Sequence, residues 1–433
     1  MPSIFPISLG CPKNLTDTEE MLGILQARGY RIATGDPPAD IALINTCAFI
    51  GDAVKESYAE IEKLLAMKKQ GYFGRVIVAG CLVQREKAKL LKKYPEIDSI
   101  IGVGSAKNIV EVVDSGRDRA CPVSTAIPRV LTRQEYRFPA TLPHSAYLKI
   151  ADGCNNSCAF CTIPRLRGGY RSKPINDIIQ EAECLVAGGV REVSLVAQDT
   201  TSYGIDLYSE YRLADLLKAL TGVQGLEWIR LMYAYPERVT PEIVQVMAEN
   251  NKICHYLDMP LQHVSDKVLA RMGRESTEKL IKQKIKLLRK FLPDIALRTN
   301  FIVGYPGESK TDFAKLKDFV EEYEFSKVGI FAYSREKGTK AAGLTGHLPK
   351  AVREDRCAEL TEVQSRVIDR KNKKMIGKSV KVLMDMPSFG RTQYEAPDID
   401  GGVNVTPRLT PGAFADVKIT GADGYILKAE ILT

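Results

Sequence analysis

No stretch of the 433-residue chain reaches the roughly 18 consecutive apolar residues that a membrane span requires. The opening "MPSIFPISLG" also lacks the basic and apolar regions of a secretory signal. Together these absences point to the cytoplasm and to no membrane contact. Thiols stay reduced there, so the ten cysteines read as ligands or core residues rather than disulfides. Histidines are few, four in all, and scattered. Only His263 lies near a predicted strand end, where packing accounts for it as well as catalysis does. No G-x-x-x-x-G-K-[ST] run exists, so no phosphate-binding loop is indicated. Charge is scarce in neither sign: 61 Lys+Arg against 53 Asp+Glu leave +8, which permits a nucleic-acid or ribosomal partner without demanding one.

What is present is a folded composition, 45% hydrophobic and 26% charged, at a length that implies two or three domains. The first section repeats one pattern three times. "SIFPISLG", "IALINT" and "RVIVAG" are short β-rich runs, each followed by a cysteine and then by a helix-like segment. That reads as βαβ units and a doubly wound parallel sheet. Ligands bind beyond the carboxyl ends of such strands, and Cys11, Cys47 and Cys81 all fall there, each one strand-plus-helix unit apart. Three thiols on one sheet edge favour a ligand site over three unrelated core cysteines.

A proline-bearing stretch, 122–145, reads as a linker between an amino-terminal domain, 1–121, and a second section, 146–365. In that section "AYLKIAD", "EVSLVAQ", "WIRLMYA", "YLDMPLQ", "ALRTNFIVG" and "KVGIFAYS" alternate with helical segments. Six consecutive βα units argue for a partial (βα)6 barrel with its chemistry at the strand carboxyl ends. The last section, 366–433, begins with the basic connector "RVIDRKNKKMIGK" and continues as short alternating runs between Gly/Pro/Asp turns, the signature of a small β-barrel.

"CNNSCAFC" places Cys154, Cys158 and Cys161 in the loop after the first barrel strand. Three thiolates this close can surround one iron–sulfur cluster, and supplying three where four are usual leaves one iron open. A zinc knuckle missing a ligand and a chance cluster are the alternatives. No C-x2-C pair with a distant partner pair supports zinc. Cys121, Cys184, Cys254 and Cys357 match no ligand pattern and read as packing residues.

The C-x3-C-x2-C motif on the first strand of a βα barrel resembles the radical S-adenosylmethionine enzymes. With Cys11, Cys47 and Cys81 ahead of it and a small barrel behind, nearly the whole chain resembles the methylthiotransferases within that group. The resemblance implies two [4Fe-4S] clusters, one on each cysteine trio, with S-adenosyl-L-methionine on the open iron of the second and a tail barrel of the TRAM type. It places Phe160 beside the adenine and "NFIVGYPGE", with Gly304, along the cofactor site. Gln198, Asp199, Gln262, Arg298 and Gly304, taken as strand-end positions, are cofactor-contact candidates; substrate contact or helix capping would also account for them. "SLGCPKNLTDTE", "NTCAFI", "ADGCNNSCAFCTIPRLRGGYRS" and "YSREKGTKAA" resemble the branch that acts on a ribosomal protein, and the "YGCQMN"-like opening of the tRNA-modifying branch is missing.

That branch implies methylthio transfer to the β-carbon of an aspartate in small-subunit ribosomal protein S twelve, with a low-potential electron donor such as flavodoxin or ferredoxin as partner. A modified adenosine in tRNA is the competing substrate. A non-enzymatic iron–sulfur electron carrier with an RNA-binding tail is the competing class. The tail adds a physical hint of its own: residues 375–433 carry six Lys/Arg and seven Asp/Glu, including "EAPDID". A slightly acidic barrel suits a basic protein partner better than RNA.

Overall fold

The computed structural model describes residues 2–115 and 137–432. Cys121 and most of the linker expected at 122–145 lie outside the described residues. The chain divides into two compact units. One comprises Met1–Thr141, Tyr147–Asn156 and Cys161–Cys184, the other Leu142–Ala146, Ser157–Phe160 and Leu185–Thr433.

In the first unit the three expected strands are Ser3–Ser8, Ala39–Thr46 and Phe73–Gly80, flanked by two short ones, Arg31–Ile32 and Ser99–Ile101. All pairings are parallel. Alternation along the strands decides the packing. Ile41, Leu43, Ile77 and Ala79 face the helices Pro12–Ala27 and Ile109–Ser115. Ala42, Ile44, Val76 and Val78 face Gly51–Lys69 and Cys81–Lys93. Strands buried on both faces need apolar residues at both parities, which is why they read as unbroken apolar runs. The sheet is doubly wound, as expected.

The second unit holds strands Glu192–Val196, Trp228–Leu231, Ile253–Asp258, Ala296–Val303 and Lys327–Ala332, in that spatial order. A sixth, Ser145–Lys149, begins in this unit and completes the sheet beside Glu192–Val196. All six sequence-predicted strands are present. After the helix Lys350–Lys373 the tail closes into a five-stranded barrel over Ser379–Met386, Phe389–Thr392, Gly402–Thr406, Phe414–Asp423 and Ile426–Ile431. Its core is Val382, Met384, Val403, Val405, Val417 and Ile419.

The tail barrel corrects the charge hint. Glu395 accepts the Thr392 amide at 3.0 Å and faces Lys327 at 3.5 Å. Asp400 accepts the Tyr256 hydroxyl at 2.9 Å and faces Arg298 at 3.5 Å. Asp385 is bound by Arg391 at 2.6 Å and His144 at 3.0 Å, and Arg391 reaches Glu192 at 2.7 Å. The acids that made the section look acidic are thus neutralised inside the unit. Its surface presents Lys378, Lys381, Arg408, Lys418 and Lys428 against Asp398, Asp416, Asp423 and Glu430, nearly balanced. Net charge therefore does not choose between protein and RNA here. Among the described residues no helix is long and apolar enough to cross a membrane.

Candidate functional site

Cys47 and Cys81 directly follow their parallel strands, and Cys11 follows its strand after Leu9 and Gly10. Cys11 is the N-cap of the helix Pro12–Ala27, where Pro12 loses no bond by lacking an N–H, and its carbonyl accepts the Asn14 and Leu15 amides. Cys81 is the first residue of its helix. Both sit where the helix dipole favours negative charge, which suits a thiolate. Cys47 is held by Ser57, whose Oγ accepts the Cys47 amide at 3.1 Å and donates to the Cys47 carbonyl at 2.8 Å. Gly10, at φ +91°, lies so close to Cys47 that a Cβ there would stand 2.6 Å from the Cys47 Cβ and 2.8 Å from its Sγ. The glycine in "SLGCPKN" is therefore what lets the first cysteine loop close against the second.

Asn14 in the same stretch acts as a clamp. Its Nδ2 donates to the Leu9 carbonyl at 2.8 Å and the Thr46 carbonyl at 3.2 Å, so one amide ties two strand ends together. Its Oδ1 accepts from Arg167 at 3.2 Å. Arg167 is buried, bound to Asp17 at 2.9 Å and Asp152 at 3.1 Å, and the same Nη2 lies 4.0 Å from the Cys81 Sγ. Burial pushes the Cys81 thiol up to about 12 and the Cys47 thiol up as well, with Arg167 opposing in both cases. Ligation requires the thiolate, so binding here would displace protons.

Among the described residues no group of three His, Cys, Asp or Glu side chains is drawn tightly enough to hold a single metal ion. A four-iron cube distributes its ligand sulfurs over separate irons and needs a wider triangle. The adjacent carboxylates Asp17 and Asp152 are already engaged by Lys149 and Arg167. What the edge offers is three sulfurs beside two helix N-termini, a donor set that fits an iron–sulfur cluster.

The second trio lies in a loop whose shape is imposed by its backbone. Gly153, at φ +75°, packs so closely on Gly169 that a Cβ would stand 2.0 Å from its carbonyl oxygen. The Cys154 amide donates to the Gly168 carbonyl at 3.1 Å. Each sulfur has polar neighbours, as ligand sulfurs of such clusters do. The Asn156 amide and Nδ2 both donate to the Cys154 Sγ at 3.4 Å, and the Ile163 amide donates to the Cys161 Sγ at 3.4 Å. In the second unit Cys158 Sγ lies 3.4 Å from the Tyr235 hydroxyl and 3.8 Å from Arg274 Nη1.

The remaining site candidates divide. Phe160 is half-buried and edge-on to Tyr305, with ring centroids 6.5 Å apart. Gln198 is half-buried, two residues past its strand, and Gln262, at φ +69°, is locked to the strand Ala296–Val303 by its amide and carbonyl. Gly304, at φ +70°, directly follows that strand, and a Cβ there would strike the Arg353 side chain at 2.3 Å. Asp199 is fully committed: one oxygen accepts from Thr201 and Ser202, the other from Ser202 and Arg238. Arg298 is the third of its strand's eight residues, toward the amino end and not the carboxyl end expected of it, and is bound to Asp258 and Asp400. His263 is buried, its Nδ1 accepting the Ser265 amide at 3.0 Å and its Nε2 lying 3.8 Å from Glu308. Asn14 and Arg167 were not singled out from sequence. Both stand inside quoted motif stretches, but their partners lie up to 153 residues away and only the folded chain brings them together.

Three family profiles match in succession: an uncharacterized protein family, UPF0004, over residues 3–102, the Radical SAM superfamily over 148–320, and the TRAM domain over 376–432. The ribosomal protein uS12 methylthiotransferase RimO of Elusimicrobium minutum is 48% identical over 434 residues, covering 100% of each chain. The protein of the same name from Desulforamulus reducens is 43% identical over 443 residues with 100% of each chain covered, and that from Clostridioides difficile is 43% identical with 98% covered. Among solved structures the chain is similar to the radical S-adenosylmethionine methyltransferase TsrM from Kitasatospora setae (TM-score 0.56, 14% identity, 76% of this chain and 72% of that one). It is also similar to the cobalamin-dependent radical enzyme OxsB (TM-score 0.55, 12% identity, 86% and 56%). At those identities the likeness is one of fold. The superfamily match brings with it S-adenosylmethionine and a [4Fe-4S] cluster, which sets a non-enzymatic carrier aside. With relatives this similar from end to end, the chain belongs to the uS12 methylthiotransferase family, enzymes of the Radical SAM superfamily.

Proposed function

We propose that the chain transfers a methylthio group to the β-carbon of an aspartate in ribosomal protein uS12. The reading rests above all on the 48% identity over the full chain to a protein of that named activity. In it Cys154, Cys158 and Cys161 hold the [4Fe-4S] cluster that binds S-adenosylmethionine, and Cys11, Cys47 and Cys81 hold a second cluster. Bound there, the cluster and S-adenosylmethionine would supply the one-electron chemistry needed to open an unactivated C–H bond, which no positioned base can do. The residues supply the setting: Tyr235 and Arg274 flank the Cys158 sulfur, Asn156 that of Cys154, and Phe160, Gln198, Gln262 and Gly304 line the cofactor position. Asp199 and Arg298 serve as structural ion-pair residues, supported by the hydrogen bonds Asp199 accepts from Ser202 and Arg238 and by the pairing of Arg298 with Asp258 and Asp400. The division at 121/122, 145/146 and 365/366 stands as part of the proposal, as do the cytoplasm as the working compartment and flavodoxin or ferredoxin as electron donor.

The test offers free uS12, small ribosomal subunits and tRNA in parallel to anaerobically reconstituted protein with S-adenosylmethionine and dithionite. A mass gain of one methylthio group for one hydrogen on uS12 is expected. Methylthiolation of tRNA with uS12 unchanged would transfer the chain to the nucleic-acid branch.

A further inference from the structure

The helix Ile163–Arg167 is only five residues long, yet both of its ends reach a cysteine sulfur. At one end the Ile163 amide donates to Cys161 Sγ at 3.4 Å; at the other Arg167 Nη2 lies 4.0 Å from Cys81 Sγ. The Arg167 side chain is 1% exposed and is fixed by Asp17, Asp152 and Asn14, so its position does not depend on solvent. A buried guanidinium stays charged, and in a low-dielectric interior its field on a neighbouring thiolate is strong. Cation and sulfur stand too far apart for a short hydrogen bond, so the interaction is chiefly electrostatic.

We propose that Arg167 is a positioning residue that sets the reduction potential and iron retention of the amino-terminal cysteine trio, with Asp17 as its opposing charge. This rests on the reading of Cys11, Cys47 and Cys81 as cluster ligands. A fixed positive charge stabilises the more negative, reduced form of a cluster, and a nearby carboxylate destabilises it. The two side chains therefore act with opposite sign.

The experiment uses the full chain with Cys154, Cys158 and Cys161 replaced by alanine, so that iron reports on the amino-terminal trio alone. Midpoint potential is measured by dithionite titration followed by electron paramagnetic resonance, with iron content and thermal unfolding recorded alongside. Arg167→Met is expected to move the potential down or to lose iron, Arg167→Lys to recover most of either effect, and Asp17→Asn to move the potential up. A purely structural role would shift Arg167→Met and Asp17→Asn in the same direction or neither. If Arg167→Met fails to fold, the upward shift in Asp17→Asn decides the matter. An unmoved potential in Asp17→Asn, or shifts of the same sign, overturns the proposal. Absence of iron from the parent chain would instead overturn the second-cluster reading and this one with it.

Discussion

At the scale of single residues the amino-terminal edge depends on two positions in "SLGCPKN". Replacing Cys11 with alanine is expected to abolish methylthiolation while 5′-deoxyadenosine still forms from S-adenosylmethionine, since the other trio is untouched. Loss of both products on chromatography would assign Cys11 to folding. Gly10→Ala should behave differently. It forces a Cβ into Cys47 from a left-handed backbone, a strain of about 1–3 kcal/mol, so iron content and thermal stability should fall together. The six cysteines were legible because their spacing repeats the strand-plus-helix unit or packs them into eight residues. Asn14 and Arg167 were illegible because their roles exist only after distant segments meet. Arg298 is a different case: it stands third in "ALRTNFIVG", so the run itself already puts it at the amino end, and the strand Ala296–Val303 keeps it there.

Among the elements, the helix Pro12–Ala27 does two jobs. Its amino end presents Cys11, and its acidic residues Asp17, Glu19 and Glu20 bind Lys149, Arg137, Arg167 and Lys173 inside the first unit. Arg137 is buried between Glu19 and Glu181, and its Nη1 donates to the Tyr147 carbonyl at 2.7 Å. Removing one partner strands the others, so Arg137→Met should cost about 3–5 kcal/mol in urea unfolding, whereas breaking the exposed pair Lys55–Asp52 should leave the urea midpoint essentially in place. Long strands were readable as apolar or alternating runs and amphipathic helices from their period. Arg31–Ile32, Ser99–Ile101 and Phe389–Thr392 were not, because two to four residues are too few to show alternation.

Across the whole molecule, the second unit is knitted by charges that sequence order keeps far apart. Glu192 on the first of its complete strands binds Arg230 at 2.8 Å and Arg391 of the tail barrel at 2.7 Å. Burial alone would raise the Glu192 carboxyl, but Arg391 and then Arg230 outweigh it and hold it at about 2, below the ordinary 4.5. A depressed carboxyl stabilises the fold above its unfolded value, so this contribution is complete above pH 4.5 and disappears as pH falls toward 2. Melting temperatures should drop across that window in the parent chain and drop less in Glu192→Gln. The same burial explains why composition misjudged the tail: an acid counts in the formula whether it faces water or an arginine.

The five-residue helix between Cys161 and Arg167 has a consequence for how such a chain can change over generations. Each residue added to a helix turns the chain beyond it by about 100° and advances it about 1.5 Å. Letters ahead of Arg167 in this helix can be exchanged, but the arginine and its distance from Cys161 are fixed. One alanine inserted after Arg165 would swing the guanidinium off Asp17, Asp152 and Cys81 with both cysteine trios still intact. Descendants of this gene should tolerate spelling changes at the residues before Arg167, keep the arginine, and reject every insertion or deletion. A library of length variants, scored by iron content of the amino-terminal trio, would read that grammar directly.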